Sequence, residues 1–456
     1  MSLSHAKHQP IDQRQRMLET PIPPLIWSLA IPTIISMLVT AIYNMADTYF
    51  VSQINTSASG AVGIVFSIMT FIQAVGFTVG MGSGSISSRC LGRGDKDEAN
   101  VYASSGVLTA LVLGISLSVV GLSCLDPLIW MLGSTETIYP YAREYAFYIL
   151  LGAPVMILSF TLNNLMRWQG KASLAVIGLA TGGILNMILD PLLIYVFHMG
   201  IGGAGLATLV SQCVSLIILA SFFVFHRSDI QVAPRFLSRG PKIYLAILKQ
   251  GMPSFFRQSV LSVSNIALNF NAKLYGDAAV AALAIVGKVY LVVQSIIVGF
   301  GQGFQPILGY NYGAKRPDRV KEALFYSIKI CTAILTVAAV IGLLFCTPIV
   351  TAFRDDPLVI EIGVRCMRYQ CLVLPLGAIQ IFANMFFQPL GKAWRATLLA
   401  VCRPGLLIPA VFLFAKHFGL TGLELSQPLA DLVTFLIAAA ILIHYFRFEF
   451  ETDSRS

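Results

Sequence analysis

The sequence predicts an all-α polytopic membrane protein with 12 transmembrane helices in two pseudo-symmetric six-helix bundles. Three observations predict it. Of the 456 residues, 56% are apolar and only 12% charged, too little charge for a surface that faces water throughout. Apolar stretches of the roughly 20 residues that a helix needs to cross a bilayer recur along the whole chain. The chain also repeats itself at a fixed offset.

The spans read at 24–49, 58–82, 101–124, 141–164, 172–197, 203–226, 243–273, 278–303, 324–348, 366–388, 393–416 and 420–446. Each must be a helix, because lipid offers no partner to backbone N–H and C=O groups. The repeat runs at an offset of 221 residues. It pairs Pro32 with Pro253, Asn44 with Asn265, Gln73 with Gln294, and Gly80 and Gly82 with Gly301 and Gly303. Further on it pairs Pro154 with Pro375, and Gly170-Lys171-Ala172 with Gly391-Lys392-Ala393. Near the end, Gly200 and Gly203 pair with Gly419 and Gly422 at an offset of 219. An even number of spans per half puts both halves in the same orientation, related by an axis along the membrane normal. Residues 24–226 then form an N-terminal lobe and 243–446 a C-terminal lobe, with a polar, basic linker at 227–242. Glycines such as Gly76, Gly80, Gly82 and Gly84 let helices pack closely. Pro32 and Pro253 are expected to kink the first helix of each half.

Charge sets the topology. Most of the 31 Lys and Arg fall in segments on one side, against Arg143, Lys273, Arg354, Arg365, Arg368 and Lys416 on the other. By the positive-inside rule both termini and the linker are cytoplasmic, in the cell inner membrane. The net charge of +9 is therefore read as topology and lipid contact, and no nucleic-acid partner is expected. Residues 1–23 read as a disordered cytoplasmic tail without a cleaved signal peptide, and 447–456 as a second tail. The eight cysteines form no Cys-x-x-Cys pair and the six histidines no cluster, so neither a disulfide framework nor a zinc site is expected.

Ionisable groups inside the bilayer are functional candidates by default. Asp47 lies near the outer end of the first span, one turn from Tyr43 and Asn44. Asp190 lies in the outer half of the fifth, one turn after Asn186, and Pro191 frees the carbonyl of Met187. Thr208 in the sixth span falls at similar depth. These hard oxygen ligands suit a proton or a sodium ion, and two nearby carboxylates favour proton uptake. The alternative is that each acid only bonds neighbouring helices. In the second half, Arg257, Lys288, Arg403, Glu424 and Asp431 either pair across helices or contact substrate. Phe66, Gln73, Asn163, Gln212 and Gln294 are candidate lining residues of a cleft between the lobes, chosen for position and chemistry.

Four motifs stand in order along the chain: Tyr43-Asn44-Met45-Ala46-Asp47-Thr48, Leu91-Gly92-Arg93-Gly94, Arg167-Trp168-Gln169-Gly170 and Asn186-Met187-Ile188-Leu189-Asp190-Pro191. In order and spacing they resemble the multidrug and toxic compound extrusion family, the MATE transporters. The resemblance covers nearly the whole chain. It implies two six-helix lobes and export of cationic, amphipathic, drug-like compounds in exchange for H+ or Na+. In the DinF-like branch, a first-span aspartate and a fifth-span Asn-x-x-x-Asp form the cation site, matched here by Asp47, Asn186 and Asp190, with Thr208 beside them. The NorM-like seventh-span glutamate is Leu261 here, and the tenth span has no acid, which favours the DinF-like arrangement.

The leading expectation is thus a cation-coupled efflux antiporter with no cofactor beyond its coupling ion and no obligate protein partner. The runner-up is a flippase for lipid-linked precursors, which should line its cleft with unpaired cations. An enzyme is not expected, since the chain lacks His-Glu-x-x-His, Gly-x-Ser-x-Gly and a phosphate-cradling Gly-rich loop.

Overall fold

A computed structural model describes residues 12–455. Residues 1–11 and 456, and the side chains of Asn44 and of residues 453–455, lie outside the described residues.

The helices follow one another with short turns. The first half holds α1 (Gln13–Glu19), α2 (Ile22–Ser52), α3 (Thr56–Arg93), α4 (Lys96–Ser123), α5 (Leu125–Met131), α6 (Tyr139–Leu151), α7 (Ala153–Trp168), α8 (Ala172–Pro191) and α9 (Gly200–Val224). The second half holds α10 (Pro241–Lys273), α11 (Asp277–Gly313), α12 (Pro317–Leu344), α13 (Cys346–Phe353), α14 (Pro357–Val373), α15 (Gly377–Phe387), α16 (Ala393–Phe448) and α17 (Phe450–Arg455). Among the described residues, nine helices are long and apolar enough to cross a membrane, and the pair α6–α7, bent by 50°, makes a tenth. Helix α10 is long enough at 33 residues but carries Lys249 and Arg257 along its length. Helix α16 is two helices merged across a kink at Gly419. Counted so, twelve spans stand where the apolar pattern predicts them. Helices α3 and α11 run about ten residues past their predicted ends, because their Gly- and Ser-rich tails are buried between the halves rather than in lipid.

The repeat holds in backbone detail. Helices α5 and α13 correspond. The break before Pro154, between α6 and α7, corresponds to a tight turn at Leu374–Leu376. Gly170 and Gly391 both adopt left-handed φ, at 78° and 81°, and Gly200 and Gly419 do so at 56° and 61°. A side chain at these turns would be strained. Pro32 and Pro253 stay within continuous helices.

The halves meet at one end. Thr33 Oγ1 donates to the Gly299 carbonyl at 2.6 Å, Ser88 Oγ to that of Pro306 at 3.4 Å, and the Tyr310 hydroxyl to that of Gln169 at 3.3 Å. A Cβ on Gly82 would strike the Ile247 carbonyl, one on Gly251 that of Thr78, and one on Gly303 would meet Ala30 Cα at 2.6 Å. Followed toward the other end, the same faces open. On α11, Gly299 presses on Ile34, while Lys288, three turns along that face, is exposed. On α2, the face through Ala30 and Ile34 continues to Met45, which is exposed. On α3, Phe71 is half-exposed, and on α10 so is Leu261. A cleft therefore lies between the halves, closed at the end where α2 begins.

The expected disorder of the first tail is corrected over residues 12–20. Helix α1 is wedged under both halves with Met17 and Leu18 buried. Gln13 Nε2 donates to the Gly170 carbonyl at 3.2 Å and Arg14 Nε to that of Gly92 at 3.1 Å. From the other half, Asn311, Arg316 and Arg319 donate to the carbonyls of Met17, Leu18 and Thr20 at 3.2, 2.9 and 2.6 Å. The apolar pair Met17-Leu18 between polar residues was the sequence sign of a packed segment. The stretch after α9 is also held down. Gln231 N donates to Asn100 Oδ1 at 2.7 Å and Ala233 N to Ser104 Oγ at 3.2 Å, and Lys171 pairs with Asp229 at 2.8 Å.

Gly251→Leu should force α3 and α10 apart, at a cost of about 1–3 kcal/mol from overpacking. The check is a thermal melt in detergent, where a melting temperature equal to the parent's would refute the close contact.

Candidate functional site

Four helices bring one group of polar side chains together inside the first half. Helix α2 supplies Tyr43 and Asp47 one turn apart, α6 supplies Tyr145, α8 supplies Asn186 and Asp190, and α9 supplies Thr208. All six are buried. Glycine allows the approach: a Cβ on Gly183 would meet the Tyr43 ring at 3.0 Å, and one on Gly205 the side chains of Tyr148 and Tyr145 at 2.9 to 3.3 Å. Helix α8 ends at Pro191 and widens into a single π turn over Leu192–Val196, so the helical bonding changes beside Asp190.

The bonding is sparse for so buried a set. The Tyr145 hydroxyl donates to Asp47 Oδ2 at 3.2 Å. Asn186 Nδ2 donates to Asp190 Oδ1 at 3.1 Å and to Thr208 Oγ1 at 3.4 Å. Tyr145 lies near both acids and within reach of Thr208. One oxygen of each acid, Asp47 Oδ1 and Asp190 Oδ2, is buried without a partner. Nearby on α9, Ser211 Oγ and Gln212 Oε1 are likewise buried without one. Unmatched acceptors of this kind are costly unless a proton or cation joins them. The donor set is all oxygen, as a sodium ion or a proton requires. Among the described residues there is no cluster of three or more His, Cys, Asp or Glu, and the eight cysteines are free.

The five sequence-predicted residues Asp47, Asn186, Asp190, Thr208 and Tyr43 thus converge. Tyr145 was not foreseen. It sits among buried Ala142, Ala146 and Ile149, and a tyrosine in an apolar run signals nothing until the helix rotation is known. The lining candidates scatter. Phe66 is half-exposed, Gln73 and Gln294 are partly buried, and Gln212 is buried. Gln294 lies in reach of the Tyr290 hydroxyl. Asn163 donates to the Ala175 carbonyl at 2.7 Å, tying α7 to α8 within the first half.

In the second half, three of the five charges singled out, Arg403, Glu424 and Asp431, pair. Arg403 forms an ion pair with Asp431, which also accepts from Gln370 Nε2 at 2.8 Å, and the guanidinium lies 5.3 Å from the Tyr290 ring centroid. Arg365 clasps Glu424 with two bonds of 2.6 and 2.7 Å. Leu268, Leu407 and Val411, which occupy the repeat positions of Asp47, Asn186 and Asp190, are buried and apolar.

Two repeated six-helix halves around a cleft define a class of polytopic membrane protein. The MatE family model matches this chain twice, over residues 32–192 and 253–413, with the same 221-residue displacement at both ends. The chain belongs to the MatE family of transporters. Among its relatives, a FAD transporter of Shewanella oneidensis is 27% identical over 92% of this chain and 94% of its own. A multidrug export protein, MepA, of Staphylococcus haemolyticus is 26% identical over 91% of each. A crystal structure of MATE in the straight conformation superposes with a TM-score of 0.91 at 25% identity, covering 98% of this chain and 100% of that one.

Tyr145→Phe should leave Asp47 without its donor, costing about 1–3 kcal/mol. A double-mutant cycle with Asp47→Asn, read by thermal melting, checks it. Additive losses would mean that the two side chains do not bond.

Proposed function

We propose that this protein is a secondary active efflux transporter of the inner membrane, exchanging protons or sodium ions for amphipathic, drug-like small molecules by alternating access. The observation that carries this reading is the buried pair Asp47 and Asp190, each with an unmatched oxygen, beside Asn186, Thr208 and Tyr145. A bound cation, or protons taken up by the acids, satisfies the unmatched oxygens, and release toward the other side lets the halves re-pack. The apolar Leu268, Leu407 and Val411 support a coupling site confined to the first half, as in the DinF-like branch. The Staphylococcus relative is called a multidrug exporter and the Shewanella relative a FAD transporter, so cargo in this family extends beyond cationic drugs.

The reading predicts one-sided coupling. In proteoliposomes with separately imposed sodium and proton gradients, Asp190→Asn should abolish the response of export to the gradient. Asp431→Asn should change expression or substrate affinity and leave that response in place. The reverse result, at matched protein levels, would sink the first-half site.

Cytoplasmic termini and linker are part of the proposal. Ser228 and Ser238 are partly buried and hydrogen-bonded, so the exposed Arg239 is the better reporter. Arg239→Cys, in a background without the eight native cysteines, should react only with membrane-permeant thiol reagents in intact cells. Labelling by an impermeant reagent would invert the topology.

A further inference from the structure

Helix α10 carries a charge among apolar side chains. Lys249 stands eight residues after Pro241, about 12 Å along the helix and in its linker-side half. It is exposed and forms no ion pair among the described residues. An ammonium group within a spanning helix is unfavourable unless it reaches water or meets an anion. Lys249 lines a cavity of about 550 Å³ together with Val75 and Val79 of α3, Leu113 of α4, and Leu245, Met252 and Phe255 of α10. It is the one charged residue in that lining. The volume falls within the roughly 300–1,000 Å³ of ligand sites. The walls come from both halves, beside the place where Gly251 presses on the Thr78 carbonyl. The halves are closed at this end, yet Leu245 and Met252 are exposed, as are Val112 and Ile115 on either side of Leu113. The cavity therefore opens sideways onto lipid and not into the cleft. Basic residues continue toward the water. Lys242 is exposed two turns nearer the linker on the same face of α10, and Arg239 is exposed just before it.

We propose that this cavity holds one acyl chain of an anionic phospholipid from the linker-side leaflet, with the lipid phosphate on the Lys249 ammonium. The apolar walls take the chain. The long stem of Lys249 lies along them and lifts its charge toward the headgroups. Basic pockets between membrane helices hold anionic headgroups in this way. A soluble anion would leave the apolar walls uncovered, and a zwitterionic lipid brings its own cation to compete with the lysine. Because α3 and α10 supply opposite walls, the bound lipid bridges the halves and holds this end closed. The linker-side leaflet is the cytoplasmic one in the topology proposed above, but the site requires neither that orientation nor the export reading.

The test uses the purified full chain, stripped of lipid in a mild detergent. It is titrated with phosphatidylglycerol or with phosphatidylcholine of the same acyl chains, and native mass spectrometry resolves the first lipid bound. Phosphatidylglycerol should bind about tenfold more tightly, the worth of a charge-assisted contact. Lys249→Gln should bring it to the level of phosphatidylcholine, and Lys249→Arg should keep the preference. Lys273→Gln, at the far end of α10, should keep it too. Leu113→Trp fills the cavity and should weaken the first binding of both lipids. Lys249 is exposed, so its variants fold even where Leu113→Trp does not. Equal binding of the two lipids, a preference that survives Lys249→Gln, or a preference lost equally in Lys273→Gln would overturn the site. Displacement of phosphatidylglycerol by inorganic phosphate would make the ligand a soluble anion and not a lipid. Phosphatidylglycerol should also raise the melting temperature of the parent and not that of Lys249→Gln. Preferential binding without that rise would overturn the bridge between the halves.

Discussion

Backbone-to-backbone approach at one end of the cleft governs the rest of the architecture. Where α2 crosses α11 and α3 crosses α10, Gly82, Gly251, Gly299 and Gly303 let main chains touch, and Thr33 spans the gap with a bond to the Gly299 carbonyl. In lipid there is little hydrophobic drive between helices, so close packing and such bonds must supply the cohesion. Small residues at one end and bulky ones at the other make a joint that holds below and gapes above. The cleft and its exposed upper walls both follow from that gradient of side-chain size.

The acid cluster lies off this joint, inside a single half. At the cluster its helices α2, α6, α8 and α9 are packed on one another, α8 against α2 at Gly183 and α9 against α6 at Gly205. Helix α2 belongs to both regions. Its first turns press on α11 near Ala30 and Thr33, and its last turns carry Tyr43 and Asp47. A change in the charge of Asp47 therefore acts on the same rigid element that helps to close the cleft. That is a physical route from a bound ion to the relation between the halves.

Much of this could be read before any coordinates existed. The 221-residue repeat foretold paired turns, and the left-handed φ at Gly170 and Gly391 is its backbone imprint. Asp47, Asn186 and Asp190 stood out because a carboxylate in an apolar run is conspicuous. Tyr145 did not stand out, because an aromatic hydroxyl there looks like packing until helix rotation is fixed. Arg167 was visible only as part of a motif at a helix end, and its bonds to Met81 of α3 and to the Gln302 carbonyl of α11 appear only in the folded chain. The pairing of Glu424 across helices was one of the two readings offered, but its partner was not foreseen. Arg365 was placed outside the span, yet α14 begins earlier than the apolar run and carries it inward. Residues 13–20 offered only the apolar pair Met17-Leu18 as a sign of packing, since Asn311, Arg316 and Arg319, which bond the carbonyls of Met17, Leu18 and Thr20, lie some 290 positions away.

That last distance bears on how the molecule is made. The carbonyls of Met17, Leu18 and Thr20 receive donors from Asn311, Arg316 and Arg319, at separations of 294, 298 and 299 residues. During synthesis the segment leaves the ribosome before any of the twelve spans, and its seat is incomplete until α11 and the start of α12 have been inserted. It is an early-made piece that docks late. A chain stalled or truncated in the second half would leave Met17 and Leu18 uncovered, and an exposed apolar pair of that kind is a handle by which quality control can tell an unfinished transporter from a finished one.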